Sequence, residues 1–203
     1  MRIALIIEGK TERAFIPHLR AFLQTRLPNA MPRLDVSCYD GRIPTENKLK
    51  KRVDHLLNDG TRSADAVIAL TDVYTGTRDF RDAADAKAKM RTWVGPNTRF
   101  HPHAAQYDFE AWLIPYWPEI QRLAGHNKTA PSGNPETVDH GNPPSRRIAE
   151  VFRIGKPGRA YLKSRDAGRI LRNKDLLVAA RACPELQALL NTILTLCGGS
   201  PVA

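Results

Sequence analysis

Five apolar residues without alternation, Ile3 to Ile7, open the chain and stop at Glu8-Gly9-Lys10-Thr11-Glu12. An unalternating aliphatic run reads as a strand buried on both faces of a parallel sheet. Phe15, Ile16, Leu19, Phe22, Leu23 and Leu27 then recur at helical spacing, with Pro17 marking either a kink or a later start of that helix. Leu34, Val36 and Cys38 alternate as a half-buried strand, and Leu49, Val53, Leu56 and Leu57 form the stripe of a second helix that Asn58-Asp59-Gly60 ends. Asp65 to Thr71 is a second buried run, ending at Asp72. Phe80, Ala83, Ala84, Met90 and Val94 outline a third helix, and residues 99–106 an extended piece leading into Tyr107-Asp108-Phe109-Glu110.

The pattern changes after residue 124. Residues 125–144 are rich in Pro, Gly, Asn, Thr and His, which predicts a flexible loop too polar to pack. From 145 to 203 the periodicity is helical throughout, with Ile148, Val151 and Phe152 in one piece and Leu186, Leu189, Leu190, Ile193 and Leu194 in the last. The expectation is an α/β core over 1–124, a loop over 125–144, and a basic helical extension over 145–203 that packs on the core.

A chain of 203 residues suits one sizeable core, and 42% hydrophobic with 26% charged residues belongs to a globular protein. The first apolar run is too short for a secretory signal and no stretch approaches a membrane span, so a cytoplasmic protein without a membrane partner is expected. Cys38, Cys183 and Cys197 are scattered without paired spacing, which argues against a disulfide framework or a zinc knuckle and for buried thiols. The net charge of +10 favours an anionic partner. Between Ser145 and Lys174 ten bases face two acids, an excess of eight, so most of that charge is local. Lys48, Lys50, Lys51 and Arg52 make a smaller basic run that could meet phosphates, although such runs are more often solvated helix faces.

Candidate chemistry sits at the strand ends. In open α/β sheets the carboxyl edge leaves a crevice for ligands, and Glu8 and Asp72 both end strands there. Gly9 would provide a sharp exit, Thr11 a helix cap, and Glu12 a second acid one turn on. Converging acids require Lys10 or a divalent cation between them. Asp79, Asp82 and Asp85 read as caps of the third helix. His101 and His103 share a strand face, but Pro102 and the lack of a third spaced ligand make them a weak metal signal. No Walker-type phosphate loop is present, so ATP hydrolysis by this chain is not expected, and no Ser, Cys or His nucleophile arrangement stands out.

Glu8-Gly9-Lys10-Thr11-Glu12, Asp72, Asp108-Phe109-Glu110-Ala-Trp-Leu, Pro143-Pro144-Ser145-x-Arg147-Ile148, Tyr161-x-Lys163 and Cys183-Pro184, in that order, resemble the Toprim-like superfamily. Within it they look like a bacterial family with an EGxTE start, akin to the nuclease domains of the overcoming-lysogenization-defect type. The resemblance implies a mainly parallel Toprim-like sheet flanked by helices and Mg²⁺ or Mn²⁺ held by strand-end acids for phosphodiester chemistry. It further implies DNA in preference to RNA as substrate, a partner ATPase, and a role in phage defence. Glu8 matches the first-strand glutamate and Asp72 the first acid of an Asp-x-Asp motif whose second position here is Tyr74.

On that reading Glu8, Glu12, Asp72 and Glu110 are the metal ligands, and Glu8, Asp72 and Lys163 carry the catalysis, Lys163 by stabilising transition-state charge. Lys10, Arg146, Arg147, Lys156, Arg159 and Arg165 are the expected nucleic-acid contacts. Tyr74 and Tyr107 are further candidates for attack on a phosphate, ranked below hydrolysis. The alternative is a non-catalytic nucleic-acid-binding or adaptor subunit in which Tyr74 leaves the site degenerate.

Overall fold

A computed structural model describes residues 1–74, 79–137, 141–155, 158 and 160–203. Four parallel strands, β1 (Arg2–Ile7), β2 (Arg33–Cys38), β3 (Ala66–Asp72) and β4 (Phe100–Ala105), form one sheet in the order β2-β1-β3-β4. The helices among the described residues are α1 (Lys10–Arg26), α2 (Glu46–Asn58), α3 (Ala83–Val94), α4 (Trp117–Ala124), α5 (Pro144–Gly155), α6 (Lys163–Ile170), α7 (Leu176–Ala182) and α8 (Pro184–Leu196). None of them is long and apolar enough to cross a membrane.

The central strands lack alternation because both of their faces are covered. Ile3, Leu5, Ile7, Ile68 and Leu70 pack with α1 and with apolar residues of α4 to α8. Ala4, Ile6, Val67 and Ala69 face the other way, onto Leu49 and Val53 of α2 and Met90 and Val94 of α3. The helices of the basic C-terminal stretch thus share one apolar cluster with the strands.

Several local expectations are corrected. Helix α1 runs unbroken through Pro17 and starts at Lys10, so Thr11 lies buried inside it while Gly9 takes the N-cap position. Gly9 is extended, at φ −150° and ψ −168°, so its value is not backbone freedom. Its N–H donates to Glu12 Oε2 at 3.1 Å, the return half of a capping box. Helix α3 begins at Ala83, capped by Asp82, whose carboxylate accepts from the Asp85 N–H at 2.8 Å. Cys38 is exposed, whereas Cys183 is buried.

The polar segment after α4 is anchored where a lone acid goes inside. Glu136 is buried, accepts from Trp112 Nε1 at 2.8 Å and from the Glu185 N–H at 2.9 Å, and ties the segment to the start of α8. The carbonyl of Lys128 accepts from Trp117 Nε1 and Gln121 Nε2. A polar segment packs here because each of these buried polar atoms has a partner.

Candidate metal centre

Strand order places β1 and β3 side by side while the connection from β1 leads outward to β2, so the topological switch point lies between β1 and β3. Register pairs Ile7 with Leu70, which puts Glu8, just past β1, and Asp72, the last residue of β3, at the same edge. Glu8, Glu12 and Asp72 each bring one carboxylate oxygen to within 4.8 Å of the others. Glu8 Oε1 accepts from the Thr71 hydroxyl and Glu12 Oε2 from the Gly9 N–H, so both carboxylates are oriented by β3 and the β1–α1 turn. Asp72 Oδ1 is buried with no hydrogen-bond partner among the described residues.

Two more acids, Asp108 and Glu110, lie close enough to act on Asp72. After β4 the backbone turns at Tyr107 with φ +72°, the left-handed region that a bulky residue rarely enters. Tyr107 is fully buried, stacks on Tyr74 at 5.2 Å, and its carbonyl accepts from the Tyr74 N–H at 2.7 Å, contacts that hold the turn in place. Asp108 follows as N-cap of a 3-10 helix over Phe109–Tyr116, with Glu110 in its first turn. Asp108 Oδ2 accepts from the Ser145 N–H at the start of α5, and its Oδ1 is buried with no partner among the described residues. Glu110 accepts from Lys163 Nζ at 3.3 Å and from the Tyr161 hydroxyl at 3.4 Å.

The electrostatics are those of a charge deficit. Burial pushes Glu8 up to about 7, against which the Thr71 hydrogen bond works and to which Glu12 adds. Burial likewise raises Glu110 to about 7, with Asp108 adding and Lys163 opposing. Asp72 is raised well above the carboxylate range by burial and then by Glu12, Glu8, Asp108 and Glu110 together. Glu12 and Asp108 are raised too, by burial first. Lys163 is the lysine drawn into this cluster. Burial works against its charge, but Glu110, Asp108 and Asp72 outweigh burial and raise its pKa. Its side chain is half exposed while that of Glu110 is 1% exposed, so the ammonium reaches in from the rim.

Glu8, Glu12, Asp72 and Glu110 line a cleft of about 470 Å³ whose walls include Lys10, Asp40, Gly41, Lys163 and Arg165. Larger and smaller hollows exist, but this one holds the acids. Lys10 lies 3.8 Å from Asp40 and Arg165 pairs with buried Asp166 at 2.8 Å. Of the other expected nucleic-acid contacts, Arg146 is exposed on α5, and Arg147 lines a separate hollow with Pro131 to Pro135 and donates to the Asn142 carbonyl. Lys156 and Arg159 lie outside the described residues. The basic stretch is therefore divided: Lys163 and Arg165 face the acids, Arg169 pairs with Asp166, and Lys174 pairs with Glu119.

Sequence reasoning passed over three participants. Asp108 stood in the Asp-x-Glu motif without being counted as part of the site. Thr71 looked like the last residue of a buried strand. Arg42, close enough to lower the Glu8 pKa, follows a turn and belongs to no motif. Conversely, His101 and His103 are not among the converging acids: His103 is buried within β4 against Thr192 of α8, and burial lowers its pKa to about 3.

A family model described as "Domain of unknown function (DUF4276)" matches residues 7–194. A search of curated proteins gave no match. Among solved structures, the C-terminal region of the Burkholderia pseudomallei OLD protein superposes with a TM-score of 0.55 at 13% identity, covering 97% of this chain and 98% of that one. The C-terminal region of the Xanthomonas campestris pv. campestris OLD protein gives 0.43 at 12% identity, covering 94% and 97%. At such identity the Burkholderia likeness speaks to the fold, the α/β Toprim-like arrangement of an OLD C-terminal region.

Proposed function

The chain belongs to the DUF4276 family, and for this member of it we propose a divalent-metal-dependent phosphodiester hydrolase acting on nucleic acid. The carrying observation is the convergence of Glu8, Glu12 and Asp72 at the switch point of the sheet. The residues present fit a hard dication. All candidate donors are carboxylate oxygens, which suits Mg²⁺ or Mn²⁺ and not zinc. The buried Asp72 Oδ1, without a hydrogen-bond partner among the described residues, is the orphaned acceptor that such an ion would satisfy.

Glu8, Glu12 and Asp72 are the primary ligand set, with Glu110 and Asp108 behind them. When bound, one or two such ions supply a water of lowered pKa and neutralise charge on the phosphate oxygens. The protein's own part is orientation. Thr71 holds Glu8, the Gly9 N–H holds Glu12, and Ser145 holds Asp108. Lys163, tethered to Glu110, would be the positive charge that stabilises a pentavalent phosphate. Tyr74 in place of a second acid removes one ligand, which a metal that keeps several waters tolerates. A non-catalytic adaptor is the second reading, favoured by Tyr74 alone. The resemblance drawn from the sequence adds DNA as the substrate, a companion ATPase, and a setting in phage defence inside the cytoplasm.

The test is nicking of supercoiled plasmid with Mg²⁺ and with Mn²⁺ by the wild type, Glu8→Gln and Asp72→Asn. The wild type should nick and both variants should lose at least about a hundredfold in rate. Equal activity in all three would remove the site from the reaction. No nicking by the wild type, alone or with a candidate ATPase, would leave the adaptor reading.

A further inference from the structure

A second hollow, about 640 Å³, lies beside the acidic cleft and is lined by Tyr39, Arg42, Lys48, Lys51, Arg52 and His55, together with the turn that leads into α2. Positions 48, 51, 52 and 55 are one face of α2, at i, i+3, i+4 and i+7. The opposite stripe, Leu49, Val53 and Leu57, is buried on the sheet. No acid lines the hollow among the described residues. Lys50, the neighbouring base outside it, is matched by Asp54 at 2.6 Å, but neither Lys48 nor Lys51 has an acidic partner among the described residues. Arg52 is held in place by donating from Nη2 to Ser37 Oγ at 2.8 Å, and its Nε is buried with no partner among the described residues. Arg42 pairs with Asp79 at the junction.

The turn after β2 joins the two hollows. Asp40 and Gly41 line the acidic cleft, and Tyr39 and Arg42, their immediate neighbours, line the basic one. We propose that the α2 groove binds the phosphate backbone of the nucleic-acid strand on one side of the acidic cleft, with Lys48, Lys51 and Arg52 as contacts and Tyr39 as an aromatic surface. This rests on the nucleic-acid reading above and adds where the strand runs. From Lys48 to His55 the helix advances about 10 Å, at 1.5 Å per residue, which matches about three nucleotides of strand rise. A long polyanion explains the pairing of the two hollows: its flank is neutralised by α2 while one phosphate crosses the turn to the acids. Without a cation Glu8, Glu12 and Asp72 repel a phosphate as they repel a carboxylate, so the preference for a nucleic-acid strand over an acidic protein segment rests on the dication of the reading above.

Binding without cleavage separates the groove from the chemistry. Fluorescence anisotropy of a labelled DNA oligonucleotide, single-stranded and duplex, is read in EDTA over a salt series for the wild type and Lys48→Ala/Lys51→Ala. Both lysines are exposed, so the double variant should keep the wild-type melting temperature. It should bind severalfold more weakly irrespective of sequence, with a log Kd against log salt slope reduced by about two, one per phosphate contact. The same affinity and slope as the wild type overturns the groove, and so does a defect seen with labelled polyglutamate but not with DNA. Plasmid nicking is followed in parallel. A binding defect in the double variant with no nicking by the wild type removes the hydrolase and keeps the groove. Nicking by the wild type with unchanged binding by the variant does the reverse.

Discussion

Lys163 is one side chain on which two opposing requirements meet. It lies 3.3 Å from Glu110, and three acids raise its pKa despite burial, so it is a fixed positive charge in a cluster of carboxylates. If it stabilises charge that develops on a phosphate, Lys163→Met should cut the nicking rate by about a hundredfold to a thousandfold. Because the lysine competes with a cation for the same acids, the variant should bind Mn²⁺ as tightly as the wild type or more so, as isothermal titration would show. Loss of Mn²⁺ binding together with activity would instead make Lys163 a support of the ligand set. At this scale the sequence was legible where an acid followed an apolar run, as at Glu8 and Asp72, because strand-end placement follows from burial alone. Thr71 and Arg42 escaped because their contacts, with Glu8 across two strands in one case and through space in the other, leave no trace in local spacing.

Helix α5 shows how an element outside the acid cluster orients one of its members. Its first turn gives the Ser145 N–H to Asp108, and its last residue, Gly155, ends against the end of α4. A Cβ at Gly155 would meet the Ala124 carbonyl oxygen at 2.3 Å and His126 Cβ at 2.9 Å. Gly155→Ala should gain up to about 1 kcal/mol in helix propensity, but a clash with backbone cannot be relieved by a rotamer change, and overpacking of this kind costs about 1 to 3 kcal/mol. The net expectation is destabilisation, read as a lower urea midpoint at unchanged slope. An equal or higher midpoint would mean that α4 and α5 are free to separate. Elements were the most legible scale: the apolar stripes of α1, α2 and α8 followed from period and β1 and β3 from unbroken apolar runs, whereas β4 read only as an extended piece and β2 rested on an alternation of which Val36 and Cys38 are exposed. The 3-10 helix over Phe109–Tyr116 did not, because it is buried on nearly all sides and so has no polar phase to mark its period.

For the molecule as a whole the acid cluster makes stability, protons and metal one linked equilibrium. Glu8 and Glu110 have ordinary values of 4.5 and folded values of about 7, so the metal-free protein holds protons that the unfolded chain releases. Their contribution to stability is fully present below about pH 4.5 and is lost as pH rises through about 7. The metal-free melting temperature should therefore fall between about pH 5 and about pH 8. A dication binds the deprotonated carboxylates and replaces what the protons supplied, so the rise in melting temperature on adding Mn²⁺ should be larger at about pH 8 than at about pH 6. Glu8→Gln, neutral at every pH, should flatten the metal-free profile, stabilise the protein at high pH, and reduce the Mn²⁺ response. This combination separates a ligand cluster from a merely buried one. Buried acids without a site would give the pH slope and its removal by Glu8→Gln, but no metal shift in the wild type, and that result would leave the fold standing and take the hydrolase away.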